Sequence, residues 1–100
     1  MKIEQLFDFI KINKKWFKKT FETISEEHSN SETIENIKIV DKNGGKEITF
    51  SVECGCGGIH KDNTITINDR GYISMNLSEI INGGDIDGRL EIAIKEAIKI

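Results

Sequence analysis

The amino-acid sequence predicts an α+β domain in which a long N-terminal helix, a four-stranded antiparallel meander and a C-terminal helix follow one another. Apolar residues recur with a helical period at both ends of the chain and with a period of two in the middle. A length of 100 residues with 37% hydrophobic and 31% charged residues indicates one globular domain over residues 1–100. Placing both helices on one sheet face is the simplest way to bury all three apolar surfaces.

The first predicted element is one long helix over residues 2–25. Neither Gly nor Pro interrupts this segment, and its apolar residues recur at spacings of three, four and seven. We expect the following residues to form a stripe that faces the core: Ile3, Leu6, Phe7, Ile10, Phe17, Phe21 and Ile24. The polar run from Ser25 to Glu32 is predicted to be a loop, because it has no apolar period.

The middle of the chain predicts two hairpins. Alternation places four side chains of the second strand on the inward face, namely Ile48, Phe50, Val52 and Cys54. Asn43 and Gly44 accommodate positive φ, so they predict a tight turn after a first strand that contains Ile37 and Ile39. Two more strands are predicted over residues 64–68 and 72–77, and the glycine-rich residues 54–61 connect the second strand to the third.

The last predicted element is a helix that follows the break at Asn82-Gly83-Gly84. Before the break, residues 77–81 read as a strand end and a short helical turn, and Asp85 or Asp87 can cap the helix after it. One apolar face is expected on this helix, consisting of Leu90, Ala93, Ile94, Ala97 and Ile98.

A second apolar stripe on the N-terminal helix is the first candidate site. Phe9, Ile12 and Trp16 fall together at about 100° per residue, outside the predicted core stripe. Aromatic anchors dominate interface energies, so we expect these three side chains to bind a partner, with Lys15 and Lys19 on the rim. The alternative is that the helix packs against both the sheet and the last helix, which requires a wider apolar arc.

Charged residues supply a further candidate surface. The acidic run with Glu26, Glu27 and Glu32 is the second choice for contacting a partner protein, for example one with a basic surface; the alternative is that it only keeps the protein soluble. A lysine cluster on the N-terminal helix comprises Lys11, Lys14, Lys15, Lys18 and Lys19. The net charge is −3 and nucleic-acid-binding motifs are absent, so we interpret this cluster as a solvated face without direct nucleic-acid contact.

Cysteine and histidine residues form a weaker candidate. Cys54, Cys56 and His60 stand close together in a glycine-rich stretch, and thiolates with an imidazole are ligands that zinc accepts. A closed site needs a fourth ligand, for which His28 or Asp62 are the obvious residues. The alternatives are a redox-responsive thiol, or a Cys54 that continues the inward alternation as a small buried hydrophobic residue.

The function that we expect is binding without catalysis. A nucleophile elbow, a phosphate-binding loop and a complete calcium loop are all missing from the sequence, so we predict that the protein is not an enzyme and needs no cofactor. A membrane span and a secretory signal are also missing, which predicts a cytoplasmic protein. Small acidic proteins of this kind include inhibitors of nucleases and toxins, such as immunity proteins and phage anti-defence proteins. The alternatives are a zinc-binding or redox-responsive module and a homodimeric structural protein.

Overall fold

A computed structural model describes residues 9–27, 33–53, 59–77 and 86–99. Its elements, in chain order, are α1 (Lys14–Glu27), β1 (Thr33–Lys42), β2 (Gly45–Glu53), β3 (Ile59–Ile67), β4 (Ile73–Asn76) and α2 (Ile86–Ile98). The four strands form an antiparallel sheet in the order β1-β2-β3-β4. The predicted α+β class, the meander and the positions of the two helices in the chain are therefore confirmed.

Both predicted hairpin turns are present. Asn43 and Gly44 have φ values of 50° and 83°, so the β1–β2 connection is a two-residue turn with positive φ at both positions. In the β3–β4 turn, the Asn68 side-chain oxygen accepts hydrogen bonds from the backbone N–H groups of Arg70 (2.8 Å) and Tyr72 (2.9 Å). These local bonds close the turn that sets the register of the two strands.

One continuous core joins the two helices to a single face of the sheet. The sheet contributes buried Ile34, Ile48, Phe50, Val52, Ile65 and Ile67. The buried residues of the helices belong to the same cluster, with Phe17, Phe21 and Ile24 from α1 and Ile86, Leu90, Ile94, Ala97 and Ile98 from α2. The opposite strand positions are largely polar, as in the aligned row Lys38, Thr49, Thr64 and Asn76. The helices therefore share the apolar face, as predicted.

The N-terminal helix begins at Lys14, so the prediction of a helix from residue 2 is wrong for residues 9–13, and residues 2–8 lie outside the described part of the chain. Asn13 caps α1, since its side-chain oxygen accepts a hydrogen bond from the backbone N–H of Trp16 at 2.9 Å. A turn precedes the cap, closed by the N–H of Ile12 and the carbonyl of Phe9. This turn breaks the helical period, so the burial of two side chains is the reverse of the prediction. Ile10 is 84% exposed, and Ile12 is only 3% exposed.

Two other predicted boundaries also change, at the end of α1 and at the start of β3. Helix α1 continues to Glu27, and Ser25 is buried within it rather than in a loop. Strand β3 begins at Ile59, inside the predicted connection. Asp87 lies in the first turn of α2, where its carboxylate accepts a hydrogen bond from the N–H of Gly88. The alternative cap Asp85 lies outside the described residues, as do residues 78–84.

Among the helices that the structure describes, neither is long and apolar enough to cross a membrane.

Candidate functional site

A groove of about 520 Å³ runs between α1 and α2, and we call it the interhelical groove. Its floor contains the half-buried Thr20 from α1 and Ala93 from α2. These side chains are short, so the two helices leave open space above them while Phe21 and Leu90 fill the core below. The groove therefore results from small residues on the facing sides of two helices whose other faces are fully packed.

Apolar side chains stand on both walls of the interhelical groove. Trp16 is half-buried on the α1 wall, with its ring centroid 6.5 Å from that of Phe17. Ile92 on the α2 wall is 59% exposed. It lies about 160° around the helix from the buried Ile94, so no described element of the chain packs over it. Both side chains leave apolar surface in contact with solvent along the same groove.

An ion pair between Arg89 and Glu27 closes one end of the groove. It joins the last turn of α1 to the first turn of α2. The arginine stands at the negative end of the α1 dipole and the glutamate at the positive end of the α2 dipole, so each charge also stabilises the other helix. Lys19 and Glu96 supply the remaining charges along the lining, which therefore carries both signs in equal number.

Some of the residues predicted to bind a partner meet in this groove. Trp16, Lys19 and Glu27 line it, which brings part of the predicted apolar stripe together with part of the predicted acidic surface. Lys15 and Glu26 are exposed on α1 outside its lining.

Two members of the predicted apolar stripe do not form an exposed surface with Trp16. Ile12 is a core residue, and the prediction that it anchors a partner is wrong, because the turn before Asn13 directs its side chain inward. Phe9 is half-buried and packs against the same core. The stripe depended on a helix that continues through residues 9–13, which the structure does not have. Glu32 lies outside the described residues.

The α2 wall was missed by reasoning from the sequence. Arg89, Ile92 and Glu96 belong to it, and none of them was a candidate. One signal was available: Ile92 is a large apolar residue that falls outside the predicted core face of its own helix. That signal indicates an exposed side chain, but only the fold shows that it stands across a groove from Trp16.

The predicted zinc or redox site remains a prediction. Cys54, Cys56 and the alternative ligand His28 lie outside the described residues. The backbone of His60 belongs to β3, opposite Val52, but its side chain is not described, and the same is true of the side chain of Asp62. In the part of the chain that is described, no three His, Cys, Asp or Glu side chains come together as metal ligands would.

Comparisons with known proteins give no information on the function. No family model matches the sequence, and no curated protein or solved structure is similar to it. The interhelical groove combines an apolar side chain on each wall, a floor of short side chains and a rim with charges of both signs.

Proposed function

We propose that the protein is a small non-enzymatic binding module whose interhelical groove receives an amphipathic helix of a partner protein. The observation that carries the proposal is a pair of apolar side chains on opposite walls of a groove with a floor of short side chains: Trp16, which is half-buried, and Ile92, which is exposed. Recognition of this kind uses apolar residues on one face of the docked helix to fill a hydrophobic groove.

The dimensions of the groove favour a helix as the occupant. The α1 lining extends from Trp16 to Glu27, which corresponds to about 16 Å along the helix axis. This length matches three turns of a third helix, whose apolar residues would recur at spacings of three, four and seven. A third helix would also pack on α1 and α2 in the same way that helices pack on one another in a protein core.

The residues of the groove have the properties of an interface that a partner completes. Tryptophan is among the side chains that most often dominate binding energies, and here Trp16 is already held in place by Phe17 and the core. Lys19 and Glu96 lie on the lining without an ion pair among the described residues, so they are available to fix the orientation of the docked helix.

In its finer form, the proposal is that the partner is an enzyme, such as a nuclease or a toxin, and that docking inhibits it in the cytoplasm. What supports this form is the combination of a small acidic chain with a binding groove and without a recognised catalytic motif. A partner held at the groove would position the rest of this protein against its surface, where it could block access of the substrate.

A pull-down with three matched baits tests the proposal. The baits are the wild-type protein, Ile92→Glu in the groove and Ile59→Glu on β3 as the control. Ile92 and Ile59 are 59% and 61% exposed, so the two variants place the same charge at positions of equal exposure and neither disturbs the core. The lysate comes from the organism that encodes the protein and is treated with nuclease, so that capture through nucleic acid is excluded.

We expect one protein to be retained by the wild type and by Ile59→Glu and to be lost with Ile92→Glu. A peptide that covers a helix of that protein is then expected to shift the NMR amide signals of Thr20 and Ala93 in the groove floor. If Ile92→Glu retains every protein that the wild type retains, the interhelical groove is not the docking site.

A further inference from the structure

The outer face of α1 carries four charged residues in a regular order. Lys15, Lys19, Glu22 and Glu26 fall within an arc of about 60° around the helix axis, opposite the buried Phe17, Phe21 and Ile24. We call these four residues the outer ridge. Lys15, Lys19 and Glu26 are exposed, and Glu22 is half-buried. The outer ridge therefore presents two positive charges followed by two negative charges.

The spacing of these charges makes the outer ridge complementary to itself. The midpoint between Lys15 and Glu26 and the midpoint between Lys19 and Glu22 both fall between residues 20 and 21. If a second α1 lies antiparallel across the first, with a twofold axis at that midpoint, each lysine stands opposite a glutamate. A twofold contact repeats every pair, so one arrangement satisfies all the charges of both ridges.

We infer that α1 makes an antiparallel contact with α1 of a second copy of this chain, in which Lys15 pairs with Glu26 and Lys19 with Glu22 of that copy. This inference goes beyond the proposed function, because it concerns a second copy on the outer ridge rather than a foreign helix in the groove; Lys19 alone belongs to both surfaces. The interactions are exposed ion pairs, so the contact is weak and dependent on ionic strength.

The charges of the isolated helix support this arrangement. The first turn of α1 has no acidic residue and the last turn has no basic residue, although a helix is stabilised by the opposite distribution. An antiparallel copy brings glutamates to the lysine-rich start of α1 and lysines to its acidic end. The second copy thus adds negative charge at the start of α1 and positive charge at its end, where Arg89 already contributes one.

The bonding within the chain leaves the outer ridge available. Lys15, Lys19 and Glu26 make no ion pair among the described residues. Glu22 accepts from Lys18 at 3.0 Å, and its carboxylate has further acceptor sites for a second lysine. A uniform polyanion such as nucleic acid fits less well, because contact with Lys15 and Lys19 would also bring it against Glu22 and Glu26.

Charge-reversal variants test the inference by sedimentation equilibrium at low ionic strength. The variant Lys15→Glu/Lys19→Glu makes the ridge entirely negative, and Glu22→Lys/Glu26→Lys makes it entirely positive. We expect the wild type to form a dimer that dissociates as salt is added, and each variant alone to dimerise at least about tenfold more weakly. An equimolar mixture of the two variants is expected to form a heterodimer as stable as the wild-type dimer.

A matched control separates the ridge from a general effect of charge. Lys38→Glu/Lys61→Glu changes the net charge by the same amount as Lys15→Glu/Lys19→Glu, but at exposed positions of the sheet. We expect this control to leave the dimer unaltered. Circular dichroism checks that each variant is folded, and the salt dependence of the wild type provides a result that needs no variant. A wild type that is monomeric at every concentration, a dimer insensitive to the ridge variants, or a mixture without heterodimer would each overturn the inference.

Discussion

The rings of Phe17 and Phe50 meet edge to face, with their centroids 5.1 Å apart and their planes at 62°. Phe21 makes a second contact of the same geometry with Phe50, at 5.8 Å. One residue of β2 therefore contacts two turns of α1 and packs the helix onto the sheet. The position of the interhelical groove depends on this contact, because the groove wall that carries Trp16 belongs to the same helix.

Replacing Phe50 should cause one of the largest losses of stability in the chain. Phe50→Ala removes both ring contacts and leaves a cavity, so we expect the free energy of unfolding to fall by about 3–5 kcal/mol. Urea denaturation followed by circular dichroism measures this. Tyr72→Ala, at an exposed position, serves as the control and should change stability by less than about 0.5 kcal/mol. Equal effects of the two substitutions would contradict this description of the core.

A pair of isoleucines tests where the first helix begins. Ile12 is buried and Ile10 is exposed, although a helix that started at residue 2 would place Ile10 in the core. We expect Ile12→Ala to lower the free energy of unfolding by about 2–5 kcal/mol. The same change at Ile10 should cost less than about 0.5 kcal/mol. If urea denaturation shows a larger loss for Ile10→Ala than for Ile12→Ala, the helix continues from residue 2 through Asn13.

The start of α1 shows why periodicity predicted the elements better than their ends. Apolar residues before and after Asn13 continue one helical spacing, so the pattern alone extends the helix across the break. The helix starts only at the Asn13 cap, which accepts from the N–H of Trp16, and the turn before the cap directs Ile12 inward. Asparagine is a favoured cap, but a cap in the middle of a continuous apolar period is a weak signal. The strands were easier to predict because Asn43-Gly44 indicates both a turn and its register.

The cap itself can be tested directly. Asn13→Ala removes the acceptor for the N–H of Trp16, so we expect a loss of about 1 kcal/mol in the free energy of unfolding. Asn13→Asp keeps the acceptor and adds a negative charge next to a first turn whose charged residues are both lysines, which should preserve or raise stability. Thermal denaturation compares the stability of each variant with that of the wild type. If Asn13→Ala is as stable as the wild type, the cap does not determine the start of α1.

Two glycines should respond to alanine with opposite signs. A Cβ atom on Gly45 would lie 1.8 Å from the backbone oxygen of Ile67, so β2 and β3 would have to separate. We expect Gly45→Ala to cost at least about 2 kcal/mol. Nothing lies within 4 Å of a Cβ on Gly88 in α2, and alanine there should stabilise the protein by about 0.4–1 kcal/mol. A destabilised Gly88→Ala in urea denaturation would contradict the open surroundings of that position.

The sequence allowed only one wall of the interhelical groove to be predicted. Trp16, Lys19 and Glu27 could be identified from their own helix, because an aromatic residue and charges outside the core stripe are visible in the sequence. The other wall comes from α2, about seventy residues later in the chain. The four strands lie between the two helices in the sequence, so α2 approaches α1 only because both helices pack on the same face of the sheet. Ile12 was misplaced because the turn before Asn13 changes which residues share a face.

The most direct test of the central claim is the affinity of the captured partner for Trp16→Ala, measured by titration calorimetry beside the stability of the same variant. If Trp16 anchors a docked helix, affinity should fall by about thirtyfold or more. The free energy of unfolding should fall by less than it does in Phe50→Ala, because Trp16 is only half-buried. An affinity within about threefold of the wild type, together with a loss of stability equal to that of Phe50→Ala, would show that Trp16 serves the core and that the interhelical groove is not a binding site.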